Sequence, residues 1–337
     1  MRVSDHRHFK RADLDVTALG LGCAAFGGLY KPADAGEARA ALNAAWARGI
    51  RYFDAAPMYG LGRAEHILGD FLREDVPAGE GAVVSTKVGR LMVAPRPGRA
   101  LNVAPKNPFD SGWMSGLNFT EVFDYSYDAI MRSFDDSQQR LGRPEIDLLF
   151  VHDIGFVTHN ERQAAHWAAL TQGGGFRALE ELRAAKIIKG FGLGVNECPV
   201  IAAAMEEVDL DACLLAGRYT LLDREGADLL EKTRARDVAI VAGGVFNSGI
   251  LAGGHAKFDY LDAPAEIVAK VSALTAACAR YDVPLGAAAI QFALRNPAVT
   301  SVVIGARSPR NVETSCDWFE TAIPDGLWAE LDAVVLG

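Results

Sequence analysis

The sequence is poor in cysteine, and its few cysteines are not spaced as metal ligands or redox pairs. The five cysteines are scattered over 337 residues, and none belongs to a Cys-x-x-Cys pair. An odd number of scattered cysteines argues against a disulfide framework, and the lack of a pair argues against structural zinc. We therefore predict no metal site and expect a reducing compartment.

The sequence also lacks a basic cluster and a long apolar run. The formal net charge is −9, with no patch of lysine or arginine, so nucleic acid is not an expected partner. An anionic ligand would instead need backbone N–H groups at helix ends or glycine-rich turns. No stretch is long enough to cross a membrane, and no apolar signal-peptide core follows the polar start of the chain. We expect a cytoplasmic protein that acts on small molecules.

What the sequence does contain is a regular alternation of short apolar strands and helices. Half of its residues are hydrophobic, which is enough for a large core, and no linker divides residues 1–337 into two domains. A short hairpin is predicted over 9–18. A helical pattern follows each later strand, which is typical of a (β/α)8 TIM barrel. The strands are predicted at 19–26, 50–53, 82–86, 146–151, 190–194, 212–216, 238–242 and 301–304.

A doubly wound sheet is the structural alternative. It would carry a phosphate-binding Gly-x-Gly-x-x-Gly after its first strand, and residues 20–25 do not complete that pattern. Two long loops, 90–121 and 153–175, follow the third and fourth strands, at the end of a barrel where ligands bind. We expect the first to form a wall or lid of the site. For the second, a surface loop without a function is an almost equal alternative.

Four polar residues, Asp54, Tyr59, Lys87 and His152, end or follow strands two to four and would meet at one barrel mouth. A phenol, with an ordinary pKa of about 10, is a weak base at neutral pH, and a nearby ammonium group favours its ionised form. Asp54 would keep Lys87 charged, and His152 would orient a substrate oxygen. Taken singly, each residue also has a structural explanation, as a turn cap, a packed ring or a solvated charge.

The same residues stand in longer stretches that resemble a known family. Residues 53–60, Thr86-Lys87 and His152 resemble the Asp, Tyr, Lys and His tetrad of the aldo-keto reductase superfamily, and the likeness covers nearly the whole chain. This resemblance implies catalysis by that tetrad and a nicotinamide dinucleotide lying across the barrel mouth. The branch containing D-threo-aldose 1-dehydrogenases, L-fucose dehydrogenases and pyridoxal 4-dehydrogenase is similar at 124–128, 192–197, 215–222 and 246–251.

The resemblance also assigns residues to the cofactor. Asn196 would hold the carboxamide, residues 243–249 would wrap the pyrophosphate, and 305–308 would begin the helix that receives the adenosine end. Asn311 stands where many NADP-dependent relatives have an arginine, which slightly favours NAD, although Arg307 could pair with a 2′-phosphate instead. The predicted cofactor-binding residues are Gly22, Asp54, Asn196, Gly244, Phe246, Asn247, Gly249, Leu251, Gly305, Arg307, Asn311 and Ser315.

The expected activity is hydride transfer between NAD or NADP and a sugar or similar polar carbonyl. The leading prediction is oxidation of an aldose of the L-fucose or D-threo type at C1 to a lactone, with Tyr59 taking the hydroxyl proton. The alternatives are an NADPH-dependent carbonyl reductase, a pyridoxal 4-dehydrogenase, a nucleotide-sensing binding subunit, and a lyase with Lys87 as a Schiff-base amine, which Asp54 argues against. The predicted substrate wall is Phe26, Tyr30, Met58, Trp113, Asp153 and Arg218.

Overall fold

The computed structural model describes residues 1–29, 31–94, 112–254, 257–259 and 261–336. The chain begins with an antiparallel hairpin of β1 (His6–Phe9) and β2 (Leu14–Thr17). The later strands are β3 (Leu19–Gly22), β4 (Tyr52–Asp54), β5 (Val83–Val88), β6 (Arg90–Val93), β7 (Thr120–Phe123), β8 (Leu148–His152), β9 (Gly190–Val195), β10 (Ala212–Ala216), β11 (Ala239–Gly243), β12 (Lys257–Phe258), β13 (Leu261–Asp262) and β14 (Val299–Gly305).

Eight parallel strands close into a barrel in the order β3, β4, β5, β8, β9, β10, β11 and β14, and β14 pairs back onto β3. The predicted (β/α)8 barrel is therefore confirmed. These strands are almost wholly buried, because helices cover their outer faces and side chains fill the interior. Neighbouring strands approach closely at Gly192, where an added Cβ atom would lie 1.7 Å from the carbonyl oxygen of Ala212.

Helices follow the barrel strands and form the outer layer. Helix α11 begins after Ser308, whose hydroxyl oxygen accepts a hydrogen bond from the Asn311 N–H. Within the described ranges, no helix combines the length and the apolar character needed to span a bilayer. The helices are α1 (Ala35–Ala47), α2 (Arg63–Glu74), α3 (Tyr127–Leu141), α4 (Phe156–His159), α5 (Gln163–Thr171), α6 (Gly175–Ala184), α7 (Cys198–Glu207), α8 (Ala227–Ala235), α9 (Ala265–Ala279), α10 (Leu285–Phe292), α11 (Pro309–Glu320) and α12 (Asp325–Leu336).

The N-terminal hairpin closes one end of the barrel. Phe9 has no exposed surface and packs in the same apolar cluster as Tyr52, Leu148 and Val241 of the barrel interior. The predicted hairpin is confirmed, but β1 lies earlier in the chain than expected and ends at Phe9. Because this end is filled, ligands reach the barrel from the other end, where the strands have their carboxyl termini.

The two long loops carry secondary structure of their own. In the first, β6 pairs antiparallel with β7, and residues 95–111 lie outside the described residues. The second folds as α4 and α5 instead of an irregular loop. The first predicted barrel strand is too long, since β3 ends at Gly22 and a 3-10 turn continues over Cys23–Gly27. A short apolar run does not distinguish a buried turn from a buried strand.

Candidate active site

Among the described residues, a larger and a smaller cavity open at the carboxyl ends of the barrel strands. The larger has a volume of about 530 Å³ and extends beneath the segments that follow β11 and β14. The smaller has a volume of about 100 Å³ and lies beside His152 and Trp113. Tyr59 and Asn196 line both cavities, so the two meet at these side chains. A larger cavity that meets a smaller one suits a large ligand and a small one held side by side.

Lys87 and Asp54 form a buried ion pair at this junction. Lys87 Nζ lies 2.7 Å from Asp54 Oδ2 and donates a second hydrogen bond to the Ala55 carbonyl oxygen at 2.9 Å. Ser85 Oγ donates to Asp54 Oδ1 at 2.7 Å and lies 3.0 Å from the Tyr52 hydroxyl group. Both oxygens of the carboxylate are therefore held, and the ammonium group has a fixed position.

Tyr59 lies above this ion pair because two glycines let two loops touch. An added Cβ atom at Gly27 would lie 2.3 Å from the Gly60 nitrogen, and Gly60 itself has a φ of +65°. This contact fixes the turn after β4 that carries Tyr59. Lys87 Nζ lies 4.7 Å from the centre of the phenol ring, and the His152 ring stands edge-on to it at 6.1 Å between centroids. The four predicted catalytic residues are thus brought together.

The surroundings set the protonation of three of these groups. Burial raises the pKa of Tyr59 above its ordinary value, and the positive charge of Lys87 is the main influence against this rise. Burial alone would lower the pKa of Lys87, but Asp54 and Tyr59 raise it overall. Burial, followed by the charges of Arg90 and Lys87, holds the pKa of His152 well below its usual range. Near neutral pH the site therefore has an ammonium group, a phenol and a neutral imidazole.

The smaller cavity contains a carboxylate that a buried arginine holds. Asp153 Oδ2 lies 3.5 Å from His152 Nε2 and is paired with Arg90 Nη2. The other terminal nitrogen of Arg90 donates to Glu121 Oε1 at 2.6 Å, which ties this group to the β6–β7 hairpin. The predicted wall residues Met58, Trp113 and Asp153 all line this cavity. Met58 also contacts Arg90 through its sulfur atom.

Most of the predicted cofactor residues line the larger cavity, and one of them points directly to a ligand. Asn247 is 3% exposed, and within the described part of the chain neither its amide nitrogen nor its amide oxygen has a hydrogen-bond partner. Leaving both groups unpaired is costly, so a polar ligand at this position fits the side chain. The predicted residues that line the cavity are Gly22, Asp54, Asn196, Gly244, Phe246, Asn247, Gly249, Gly305, Arg307, Asn311 and Ser315.

Arg307, the predicted alternative partner of a 2′-phosphate, and Asn311, which stands where many NADP-dependent relatives have an arginine, both have protein partners. Arg307 Nη2 donates to the Leu29 carbonyl oxygen at 2.6 Å, which ties this end of the cavity to the loop after β3. The Ser308 hydroxyl group donates to Asn311 Oδ1 at 3.0 Å. Asn196 Nδ2 donates to the Ala216 carbonyl oxygen at 3.2 Å, so its amide is held at the junction of the cavities.

Three of the predicted contacts lie away from these cavities, since among the described residues Phe26, Leu251 and Arg218 line neither one. Phe26 and Leu251 belong to 3-10 turns and are fully buried in apolar clusters. Arg218 donates to Asp223 at 3.0 Å and to Asp259 at 2.6 Å, so its charge faces carboxylates. Tyr30 lies outside the described residues.

Ser85 and Arg90 belong to the site but are absent from the residues predicted from the sequence. Ser85 precedes Lys87 by two residues in β5, and a period of two places both side chains on the same face of a strand. That spacing was a usable signal. Arg90 begins β6 and is 2% exposed, and no local pattern distinguishes it from a surface arginine. Only the fold brings Asp153 and Glu121 to it.

A large cavity beside a tyrosine, a lysine and a histidine at the barrel mouth is an arrangement that can serve hydride transfer with a bound cofactor. The protein is an NAD(P)-dependent oxidoreductase. It belongs to the aldo/keto reductase family, whose model matches residues 18–336. Across the described ranges, no group of three or more His, Cys, Asp or Glu side chains is arranged to hold a metal ion.

Individual relatives agree with this assignment. The chain is 61% identical over 336 residues to a pyridoxal 4-dehydrogenase of Microbacterium luteolum, covering 98% of this chain and 97% of the relative. It is 39% identical to a D-threo-aldose 1-dehydrogenase of a Pseudomonas species, covering 95% and 94%. A solved glycerol dehydrogenase of Gluconobacter oxydans has the same fold, with a TM-score of 0.74, 21% identity and coverage of 98% and 95%.

Proposed function

We propose that this protein is an NAD-dependent dehydrogenase that oxidises a cyclic hemiacetal to a lactone, with pyridoxal as its favoured substrate and an aldose as the second candidate. The observation that carries the substrate proposal is the 61% identity to a pyridoxal 4-dehydrogenase over almost the whole chain. Pyridoxal replaces the aldose as the first choice of substrate, because the aldose dehydrogenase relative is only 39% identical.

The two candidate substrates share one reacting group. Pyridoxal has an aldehyde beside a hydroxymethyl group and closes to a cyclic hemiacetal, which is also the form of C1 in a ring-closed aldose. Removing hydride from the hemiacetal carbon and a proton from its hydroxyl group gives a lactone in both cases. A single arrangement of proton acceptor and hydride acceptor therefore suffices for both, and the walls of the smaller cavity select between them.

The side chains have distinct parts in the proton transfer. Tyr59 takes the hydroxyl proton of the substrate, and the Lys87 ammonium group stabilises the phenolate that does so. Asp54 keeps that ammonium group charged and in place through their 2.7 Å contact. The neutral imidazole of His152 hydrogen-bonds the reacting oxygen and orients it. The nicotinamide, when bound, supplies the hydride acceptor.

The residues at the far end of the larger cavity support a preference for NAD. A 2′-phosphate needs a free cationic partner, and arginine supplies two parallel hydrogen bonds to it. The guanidinium group of Arg307 is directed to the Leu29 carbonyl oxygen, and Asn311 is uncharged and paired with Ser308. Asn247, with its unpaired amide, would hold the dinucleotide in the middle of the groove.

The Asp153 carboxylate favours a substrate with hydrogen-bond donors. It lies beside His152 in the smaller cavity, and its partner Arg90 is shared with Glu121. This carboxylate can accept a hydrogen bond from a hydroxyl group or from the protonated ring nitrogen of a pyridine. Trp113 lies 5.7 Å from the Tyr59 ring between centroids and gives the same cavity an aromatic wall against which a flat ring can pack.

The test is an initial-rate assay with the purified protein, measuring reduced cofactor formed from NAD or NADP. Pyridoxal, L-fucose, D-arabinose and L-galactose are compared, and the product is identified as a lactone by mass spectrometry. A higher kcat/KM for pyridoxal with NAD supports the proposal. Turnover only in the direction of NADPH-dependent aldehyde reduction would favour the reductase, and tight nucleotide binding without turnover would favour a nucleotide sensor.

A further inference from the structure

The hydroxyl group of Tyr125 joins two segments behind the proposed active site. The side chain has no exposed surface, and its hydroxyl oxygen lies 2.7 Å from the His152 carbonyl oxygen and 2.9 Å from His159 Nε2. A carbonyl can only accept, so the phenol donates to His152 and accepts the Nε2–H of His159. Burial raises the pKa of Tyr125 well above its ordinary value, which keeps the hydroxyl group a donor.

The ring of Tyr125 also rests on the backbone that follows the lysine strand. Gly89 has a φ of +93°, and an added Cβ atom there would lie 2.3 Å from Tyr125 Cε1. No larger residue fits at Gly89 while the ring is in place. Because β5 and β8 are paired neighbours, one side chain contacts the chain just beyond the strands that supply Lys87 and His152.

The segment 153–175 completes this support. His159 ends α4, is 1% exposed, and packs 4.2 Å from the His166 ring of α5 and 4.7 Å from the Phe123 ring of β7, between centroids. Burial, followed by the charge of His166, lowers the pKa of His159 to about 3, so the ring is neutral near pH 7. The loop after β8 therefore has a buried contact with the back of the site.

We propose that Tyr125 is a positioning residue: its hydroxyl group holds the His152–Asp153 backbone so that the imidazole and the carboxylate face the smaller cavity. Asp153 has a φ of +45°, which a non-glycine residue adopts only when its surroundings fix it. Its N–H donates to the Gly194 carbonyl oxygen at 3.0 Å on one side, and Tyr125 holds the preceding carbonyl group on the other.

This role rests on the proposed function, because it places Tyr125 in support of that reaction. A positioning role is distinct from catalysis. The Tyr125 hydroxyl group is hydrogen-bonded to the backbone, and Tyr125 is absent from the described residues that line the cavities. A purely structural tyrosine would affect the stability of the fold but would leave the kinetics of the folded enzyme unchanged. The two roles therefore separate in a kinetic experiment.

The experiment compares Tyr125→Phe with Tyr127→Phe. The control removes an exposed hydroxyl group that donates to Glu181 at 2.6 Å, two residues along the chain. In Tyr125→Phe we expect kcat to fall about tenfold to a hundredfold and the substrate KM to rise, because small displacements of reacting groups have effects of this size. The dissociation constant of NADH, from fluorescence titration, should remain within about twofold of the wild type. Circular dichroism establishes the folded fraction at the assay temperature.

A second readout needs no turnover. The imidazole ¹⁵N–¹H signals of His152, assigned by their loss in His152→Asn, should shift in Tyr125→Phe and stay in place in Tyr127→Phe. Unchanged His152 signals, or kinetic constants that change only with the folded fraction, would overturn the role. The wild-type rate decides the proposed function, and the comparison of variants decides the role of Tyr125, so each can fail without the other.

Discussion

The Lys87 ammonium group lies 2.7 Å from the Asp54 carboxylate, and both side chains are almost completely buried. A buried charge pair of this kind is stable only as a unit, because either charge alone would be unpaired in a poorly solvated place. Lys87 is also the main influence that lowers the pKa of the neighbouring Tyr59 against the effect of burial. The pair therefore connects the structure of the barrel mouth to the pH at which Tyr59 can accept a proton.

Replacing Lys87 with methionine should move the pH dependence of oxidation to higher pH. Tyr59 must lose its proton before it can accept one, and removal of the neighbouring positive charge raises its pKa further. We expect the midpoint of the kcat/KM profile for lactone formation to rise by about one pH unit or more. Lys232→Met, an exposed lysine on α8, is the control and should retain the wild-type midpoint. The same midpoint in both variants would contradict the proposed role of Lys87.

Replacing Tyr59 with phenylalanine should remove the proton acceptor and keep the cavity shape. A positioned acid or base contributes about a hundredfold to ten-thousandfold to the rate, so we expect a loss of kcat in this range. NADH titration should give a dissociation constant close to that of the wild type. In the control Tyr281→Phe, the lost hydroxyl group is bonded to Glu330 at 2.6 Å, away from the cavities. Near-normal turnover by Tyr59→Phe would show that another group accepts the proton.

Replacing Arg90 with methionine should destabilise the fold and weaken substrate binding. The change leaves Asp153 and Glu121 without their shared cation, and breaking a buried ion pair costs about 3 to 5 kcal/mol. Urea unfolding measures the loss in the free energy of unfolding. Arg132→Met is the control, because its exposed pair with Asp136 contributes at most about 1 kcal/mol. Equal effects of the two changes would mean that the Arg90 network does not stabilise the site.

Replacing Asn311 with arginine should increase the use of NADP. Asn311 lies in the first turn of α11, where the helix N-terminus favours an anion, and a guanidinium group there could pair with a 2′-phosphate. We expect the ratio of kcat/KM for NADP to that for NAD to rise about tenfold or more. Arg310→Gln, an exposed neighbour, is the reference variant. An unchanged ratio in Asn311→Arg would mean that the phosphate lies elsewhere.

Replacing His159 with glutamine should reduce the amount by which the free energy of unfolding decreases at acid pH. The folded-state pKa of His159 is about 3, below its ordinary value of about 6.5, so the native state binds fewer protons than the unfolded state between these limits. The contribution of His159 to the free energy of unfolding is fully present above about pH 6.5. It falls by about 1.4 kcal/mol per pH unit as the pH decreases towards 3. Urea unfolding at pH 7 and pH 5 should show a smaller difference for His159→Gln. The exposed His66→Gln should behave as the wild type.

The sequence was sufficient for the barrel and for the meeting of Asp54, Tyr59, Lys87 and His152. Strand ends of a parallel barrel share one edge, so residues far apart in the chain could be placed together by counting strands. The supporting contacts could not be predicted in this way. Tyr125, which lies just before α3, donates a hydrogen bond to the His152 carbonyl oxygen, and only the packed fold brings these two groups together.

The predicted site residues that lie away from the two cavities stand where the chain leaves a regular strand. Phe26 precedes two glycines after β3 and Leu251 follows Gly249 after β11, positions where a loop residue that faces the ligand would also be expected. Each belongs to a tight 3-10 turn that directs its side chain into an apolar cluster, a direction that apolar character alone does not reveal. Arg218 was assigned from its place after β10, and its guanidinium group pairs with Asp223 of the same loop and with Asp259, which follows β12.

The N-terminal hairpin, with Phe9 packed against the barrel interior, closes the end of the barrel opposite the two cavities. Because one end of the barrel is closed, small molecules do not pass through it along its axis. In the proposed reaction, a lactone formed in the smaller cavity leaves at the same end of the barrel at which the next substrate arrives. Product release and binding of the next substrate therefore compete for the same space. The rate of exchange at the barrel mouth becomes part of the catalytic cycle.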